Sequence, residues 1–155
     1  MKTLVVGMVA ALTSAALADT KTEDADPTGS YSYTANFTVS LTSPQKQTVT
    51  DTDEGTLTVT ASKKSGFVLT FTAKGETCQV TAQRAGAHGL KFPAGQTCSQ
   101  QDSASKSDFT LTLASGTGTL HNDSLTMNLA WKLSGSMAGV SVAGRATETV
   151  QAEQK

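Results

Sequence analysis

The 155-residue sequence is poor in aromatic side chains, which make up 5% of it, and nearly neutral, with a formal net charge of −1. Its basic residues form no cluster larger than the pair Lys63 and Lys64. Proteins that bind nucleic acid need a basic surface to neutralise phosphates, so this composition argues against nucleic-acid binding. After the N-terminal segment, no apolar run is long enough to cross a membrane as a helix.

Potential metal ligands are also scarce. The chain has two cysteines, Cys78 and Cys98, and two histidines, His88 and His121. A zinc site needs about four ligands, so we expect no metal and no cofactor. In an oxidising compartment an even pair of cysteines favours one disulfide, Cys78–Cys98.

The N-terminus has the pattern of a secretory signal peptide. A positive start at Lys2 precedes an apolar run to Leu17, and Ala16-Leu17-Ala18 matches an A-x-A cleavage site. We therefore expect a signal peptide over residues 1–18 and a secreted or periplasmic protein. The acidic, polar residues 19–28 that follow are typical of a disordered leader.

The rest of the chain favours β structure. Thr occurs 26 times and Ser 16 times, and Thr favours strands over helix interiors. Apolar and polar residues alternate from Tyr31 to Thr42, and the same period of two recurs about eight times between residues 29 and 150. The sequence predicts interruptions at residues 51–55, a polar loop over 95–107, a bend at Gly116 and Gly118, a turn over 134–139 and a polar tail over 151–155.

About eight one-sided strands joined by short turns predict an antiparallel up-and-down meander. Closure into a barrel would cover the apolar face and remove both edges, so an all-β barrel is the predicted fold. A two-sheet β-sandwich is the alternative. A transmembrane barrel would carry aromatic girdles, whereas the aromatics here are few and scattered. We expect a monomer.

No motif points to an enzyme. The only approach to G-x-S-x-G, at residues 135–139, has its serine one position early. Both histidines fall in predicted turns. Asp51, Asp53 and Glu54 do not match a calcium loop, because Gly55 comes one position early. They are interpreted as a solvated acidic turn. Asn36 and Asn122 match the glycosylation motif, which matters only in a eukaryotic host.

The apolar face offers the best candidate site. If the sheet closes, its aromatic and long apolar side chains converge inside the barrel, where many neighbouring positions are small. They would form either a filled core or a pocket for a small hydrophobic ligand. The predicted ligand-binding residues are Tyr33, Phe37, Phe71, Met127 and Trp131.

The strand pattern and two local features resemble the lipocalin-like (calycin-type) barrels. Gly29-Ser30-Tyr31 stands where lipocalins have Gly-x-Trp, and Arg145 lies in the predicted last strand. The resemblance implies a carrier of a small apolar molecule. It also implies that Arg145 packs over the aromatic residue of the first strand, here Tyr31.

The chain is also similar to periplasmic inhibitors of secreted metalloproteases, which are small, exported barrels with one disulfide. That resemblance implies that the segment 19–28 enters a protease cleft. A protein-interaction module of this kind, or a cell-surface structural protein, is the alternative to a ligand-binding barrel.

Overall fold

A computed structural model describes residues 24–64, 66–102 and 106–155. The predicted signal peptide, residues 1–18, and part of the leader lie outside this range. The described residues form nine strands and no α-helix. The strands are β1 (Gly29–Ser43), β2 (Gln47–Ala61), β3 (Phe67–Ala73), β4 (Glu76–Arg84), β5 (Gly89–Phe92), β6 (Thr97–Asp102), β7 (Ser107–His121), β8 (Ser124–Met137) and β9 (Val140–Gln154).

Every strand pairs antiparallel with its neighbours, in the order β5-β4-β3-β2-β1-β9-β8-β7-β6, and β5 also pairs with β7. β5 pairs with residues 116–119 of β7, and β6 pairs with residues 107–112 of the same strand. Together β5 and β6 therefore occupy one position of an eight-strand barrel. The predicted all-β meander barrel is confirmed.

Several predicted boundaries are wrong. Residues 51–55 do not interrupt the second strand, because each of them pairs with a residue of β1. β6 lies within the segment 95–107 that was predicted as a loop. β8 continues to Met137, and the irregularity of β7 is a bulge between Leu113 and Ser115. β9 extends through Gln154 with Ala152 buried, so residues 151–154 belong to the barrel and are not a tail.

The described part of the leader lies against one end of the barrel, which we call the leader end. Ala25 donates its backbone N–H to the Ala87 carbonyl at 3.0 Å. The Arg84 guanidinium donates to the carbonyls of Ala25 and Ala87 at 2.7 and 3.2 Å and lies 5.2 Å from the centre of the Phe67 ring. Pro27 is fully buried. Residues 24–28 are therefore packed, contrary to the predicted disorder.

Candidate functional site

The barrel interior is filled at the leader end and hollow farther along. Near the leader end, the side chains of the filled part are at most 1% exposed: Tyr31, Leu57, Leu69, Val80, Leu125 and Val150. Beyond them lies a cavity of about 70 Å³, lined by every strand except β5. This volume is the space open to the centre of a water-sized sphere, and about 10–15 Å³ of such space holds one water molecule. The cavity therefore has room for one end of a small molecule.

One side of the cavity faces a split in the barrel wall. β4 pairs with β5 only at Gln83 and Arg84, and no backbone ladder joins β4 to β6 in the described residues. We call the space between residues 76–78 of β4 and 98–100 of β6 the side gap. Glu76, Thr77, Ser99 and Gln100 line the cavity there and are exposed, so solvent-exposed residues border the cavity at the side gap.

Side-chain links, and not a backbone ladder, hold the two strands across the side gap. The predicted disulfide is present, joining Cys78 to Cys98 with their Cα atoms 5.4 Å apart. The Gln96 amide donates to the carbonyls of Thr81 and Pro93, both at 2.9 Å, and accepts from the backbone N–H of Thr81. These links fix the spacing of β4 and β6 while leaving the side gap free of backbone pairing.

A buried carboxyl group faces the cavity from β9. Trp131 pairs with Ala146, and Glu148 is two residues further along β9, so both side chains are on the inner face. The Trp131 indole donates from Nε1 to Oε2 of Glu148 at 2.8 Å, and Glu148 is 7% exposed. Burial raises the pKa of Glu148 to about 7, the Trp131 hydrogen bond lowers it, and the Asp53 charge adds to the rise.

A second carboxylate reaches the cavity from β2. Asp53 forms an ion pair with Lys74 of 3.0 Å, and the Lys74 side chain is 75% exposed. Burial, the charges of Asp53 and Glu148 and the closeness of its hydroxyl to the Asp53 side chain raise the pKa of Tyr33 to about 12. Tyr33 therefore stays protonated and is available as a hydrogen-bond donor.

Four of the five predicted ligand-binding residues line the cavity: Tyr33, Phe37, Phe71 and Trp131. The rings of Tyr33 and Phe71 meet edge to face, with centroids 5.4 Å apart and an interplanar angle of 84°. The fifth, Met127, is fully buried in the core, beside Gly118, and does not line the cavity. The structure thus brings the four aromatic residues together and leaves Met127 out.

Sequence reasoning missed Asp53 and Glu148 as carboxyl groups of the cavity. Glu148 falls on the alternating positions of β9 that face inward, between Ala146 and Val150, and this register alone identifies it as an interior acid. Asp53 was assigned to a solvated acidic turn together with Asp51 and Glu54. In the structure Asp51 and Glu54 are exposed, whereas Asp53 is partly buried on the inner face of β2.

The other candidates from the sequence lie elsewhere. His88 and His121 are exposed, and neither lines the cavity. Arg145 is exposed and pairs with Ser40, while Tyr31 pairs with Gln154, so about 30 Å of strand separates the two along β9. The expected packing of Arg145 over Tyr31 is therefore wrong. The Tyr31 hydroxyl donates instead to the Pro27 carbonyl at 2.8 Å.

Within the described ranges, no helix has the length and apolar character needed to cross a membrane. In the same residues, no three His, Cys, Asp or Glu side chains are grouped so that they could hold a metal ion. Asn36 and Asn122, the glycosylation-motif residues, are both exposed.

Comparison with known proteins identifies no family. No protein-family model matches the chain, and no curated protein sequence matches it. Among solved structures it is similar to a protein of unknown function from the DUF3598 family of Nostoc punctiforme PCC 73102. The TM-score is 0.40 at 14% identity, over 83% of this chain and 47% of the other.

A second similar structure is a protein of Bacteroides fragilis NCTC 9343 described as a "putative outer membrane protein". Its TM-score is 0.41 at 16% identity, over 82% of this chain and 50% of the other. The present chain spans about half the length of each of these two proteins.

Proposed function

We propose that the protein binds one end of a small, mainly apolar molecule inside its barrel, without converting it chemically. The observation that carries this proposal is the cavity, which is lined by four aromatic residues and by the carboxyl groups of Asp53, Glu76 and Glu148. Concave sites with mostly apolar walls and a few convergent polar groups are the usual form of small-molecule sites. In this respect the protein would act in the manner of a lipocalin-like carrier.

The proposal places the protein outside the cytoplasm, secreted or periplasmic. Its support is the Cys78–Cys98 disulfide, because such bonds persist in oxidising compartments. The signal-peptide pattern of residues 1–18 agrees with that location.

Binding is tested by calorimetric titration of the purified protein with benzyl alcohol and benzylamine, followed in parallel by the fluorescence of Trp131, the single tryptophan. We expect saturable binding of at least one probe and recovery of that probe unchanged. Ala73 lines the cavity, so Ala73→Leu adds three carbon atoms to the space and should abolish binding.

The matched control is Ala143→Leu, whose side chain is exposed on β9. This variant should bind as the wild type does. If neither probe saturates at millimolar concentration, or if Ala73→Leu binds like Ala143→Leu, the proposed site is wrong.

A further inference from the structure

Three carboxyl groups, those of Asp53, Glu76 and Glu148, line the cavity and make its wall acidic. Glu76 is exposed, whereas Asp53 and Glu148 reach the cavity from either side of β1. Asp53 pairs with Ala35 across β1 and β2, and Glu148 pairs with Phe37 across β1 and β9. Ala35 and Phe37 are both on the inner face of β1. Asp53 and Glu148 therefore project into the same part of the interior, where both line the cavity.

The protein supplies little positive charge to balance them. Lys74, in the turn between β3 and β4, pairs with Asp53, and its side chain is largely exposed. Glu148 forms no ion pair with any residue that the structure describes. Its hydrogen bond from the Trp131 indole is neutral and engages only Oε2. A buried carboxylate is strongly stabilised by a cation that also donates hydrogen bonds, and the described residues supply no such cation to Glu148.

The remaining walls suit an organic cation. Tyr33, Phe37, Phe71 and Trp131 line the same cavity, and aromatic faces attract ammonium groups, most strongly when water is excluded. An anionic end group would meet the like charges of the cavity carboxylates in a poorly solvated space, and that arrangement is unfavourable. Fatty-acid-like ligands are therefore disfavoured.

We propose that the cavity receives the protonated amine of a small organic ligand, with Glu148 and Asp53 as its counter-charges and the apolar part of the ligand directed to the side gap. This inference rests on the proposed function and assigns the chemical class of the ligand. The volume of the cavity is sufficient for an inserted ammonium group.

The test compares three probes of nearly equal shape: benzylamine, benzyl alcohol and benzoate, titrated into the full-length mature protein at pH 8 with a fixed salt concentration. We expect benzylamine to bind at least about tenfold more tightly than benzyl alcohol, the effect of one charge-assisted hydrogen bond. Benzoate should bind most weakly.

Two variants assign this preference to the carboxylates. Glu148→Gln removes the charge but keeps an oxygen that accepts from Trp131. Asp53→Asn removes the charge of the carboxyl group on β2. Each should reduce the affinity for benzylamine about tenfold and change that for benzyl alcohol by less than about threefold. Glu153→Gln, on the exposed outer face of β9, has the same change of net charge and should bind like the wild type.

The outcomes separate this inference from the proposed function. If benzyl alcohol binds as tightly as benzylamine, the amine preference is overturned while a ligand-binding cavity stands. The same holds if Glu148→Gln and Asp53→Asn both keep the preference for benzylamine while circular dichroism shows that both variants are folded. If none of the three probes binds, the proposed function is overturned and the inference with it.

Discussion

Glu148 lies in an environment that disfavours the charge of its side chain. It is 7% exposed, and the hydrogen bond from Trp131 satisfies one of its oxygens. Burial disfavours the charged form, and the nearby Asp53 carboxylate disfavours it further. The free protein therefore holds Glu148 partly protonated near neutral pH, and a cationic ligand would shift it to the ionised form.

This environment predicts how stability depends on pH. The pKa of Glu148 is raised from 4.5 to about 7, so the folded protein retains a proton that the unfolded chain has already lost. The free energy of unfolding should therefore fall between those two pH values, by about 3 kcal/mol in total from this group. Glu148→Gln removes this loss. The variant should match the wild type at pH 4.5 and be more stable by about 2–3 kcal/mol at pH 8.

Urea denaturation at the two pH values measures the effect, with Glu153→Gln as the control because Glu153 is exposed on the same strand. The control should follow the wild type at both pH values. A Glu148→Gln variant that is less stable than the wild type at pH 8 would contradict the stated environment of Glu148.

At this scale the sequence predicts part of the site. The four aromatic residues follow from period-two alternation, since each falls on an apolar face. Glu148 follows from the same register once polar residues are allowed on that face. Asp53 does not, because the segment from Asp51 to Gly55 has the composition of a turn, and only its pairing with β1 reveals a strand. Met127 was included because alternation identifies the face of a residue and not its depth along the barrel.

At the scale of elements, the barrel depends on how β4 and β6 are held. β6 pairs on one side with β7, and its other side faces β4 without a backbone ladder. Its sequence, Thr97 to Asp102, is polar apart from Cys98, so periodicity gives no strand signal. Pairing with β7 overrides this composition. The split in the wall could not be predicted, because it depends on which strands end early.

The disulfide predicts that its removal by mutation and its reduction lower stability by the same amount. Cys78 and Cys98 are 20 residues apart, and closing a loop of that length stabilises a fold by about 3 kcal/mol in the chain-entropy model. The double variant Cys78→Ser/Cys98→Ser should unfold at a temperature about 10 °C lower, as measured by calorimetry. Reduction of the wild type should lower the melting temperature equally, and reductant should leave the double variant unchanged. Equal melting temperatures of oxidised and reduced wild type would contradict a stabilising role of the bond.

The packing of the leader bears on the alternative function. Residues 24–28 are held by Arg84, by Ala87 and by the Tyr31 hydroxyl. A segment that enters a protease cleft must be free to extend. The contacts of residues 24–28 therefore do not support a free inhibitory segment in that part of the leader.

For the whole molecule, composition and alternation are sufficient to predict an all-β barrel. One-sided strands need a common interior, and short turns impose antiparallel neighbours. Large side chains fill the interior at the leader end and leave a cavity farther along. This difference depends on how side chains from eight strand positions pack against one another, and the alternation pattern of a sequence does not predict such packing. The sequence therefore predicts the fold better than the presence of a site.

The most direct measurement of ligand binding in the cavity is a ¹H–¹⁵N spectrum of the protein titrated with benzylamine. The chain has one tryptophan, so the indole N–H of Trp131, which donates to Glu148, gives one resolved signal. We predict that this signal moves saturably together with the backbone signals of Tyr33 and Glu148, while that of Leu125 in the filled core stays unchanged. An indole signal that does not move at saturating benzylamine, or shifts confined to the outer faces of the strands, would contradict a ligand site inside the barrel.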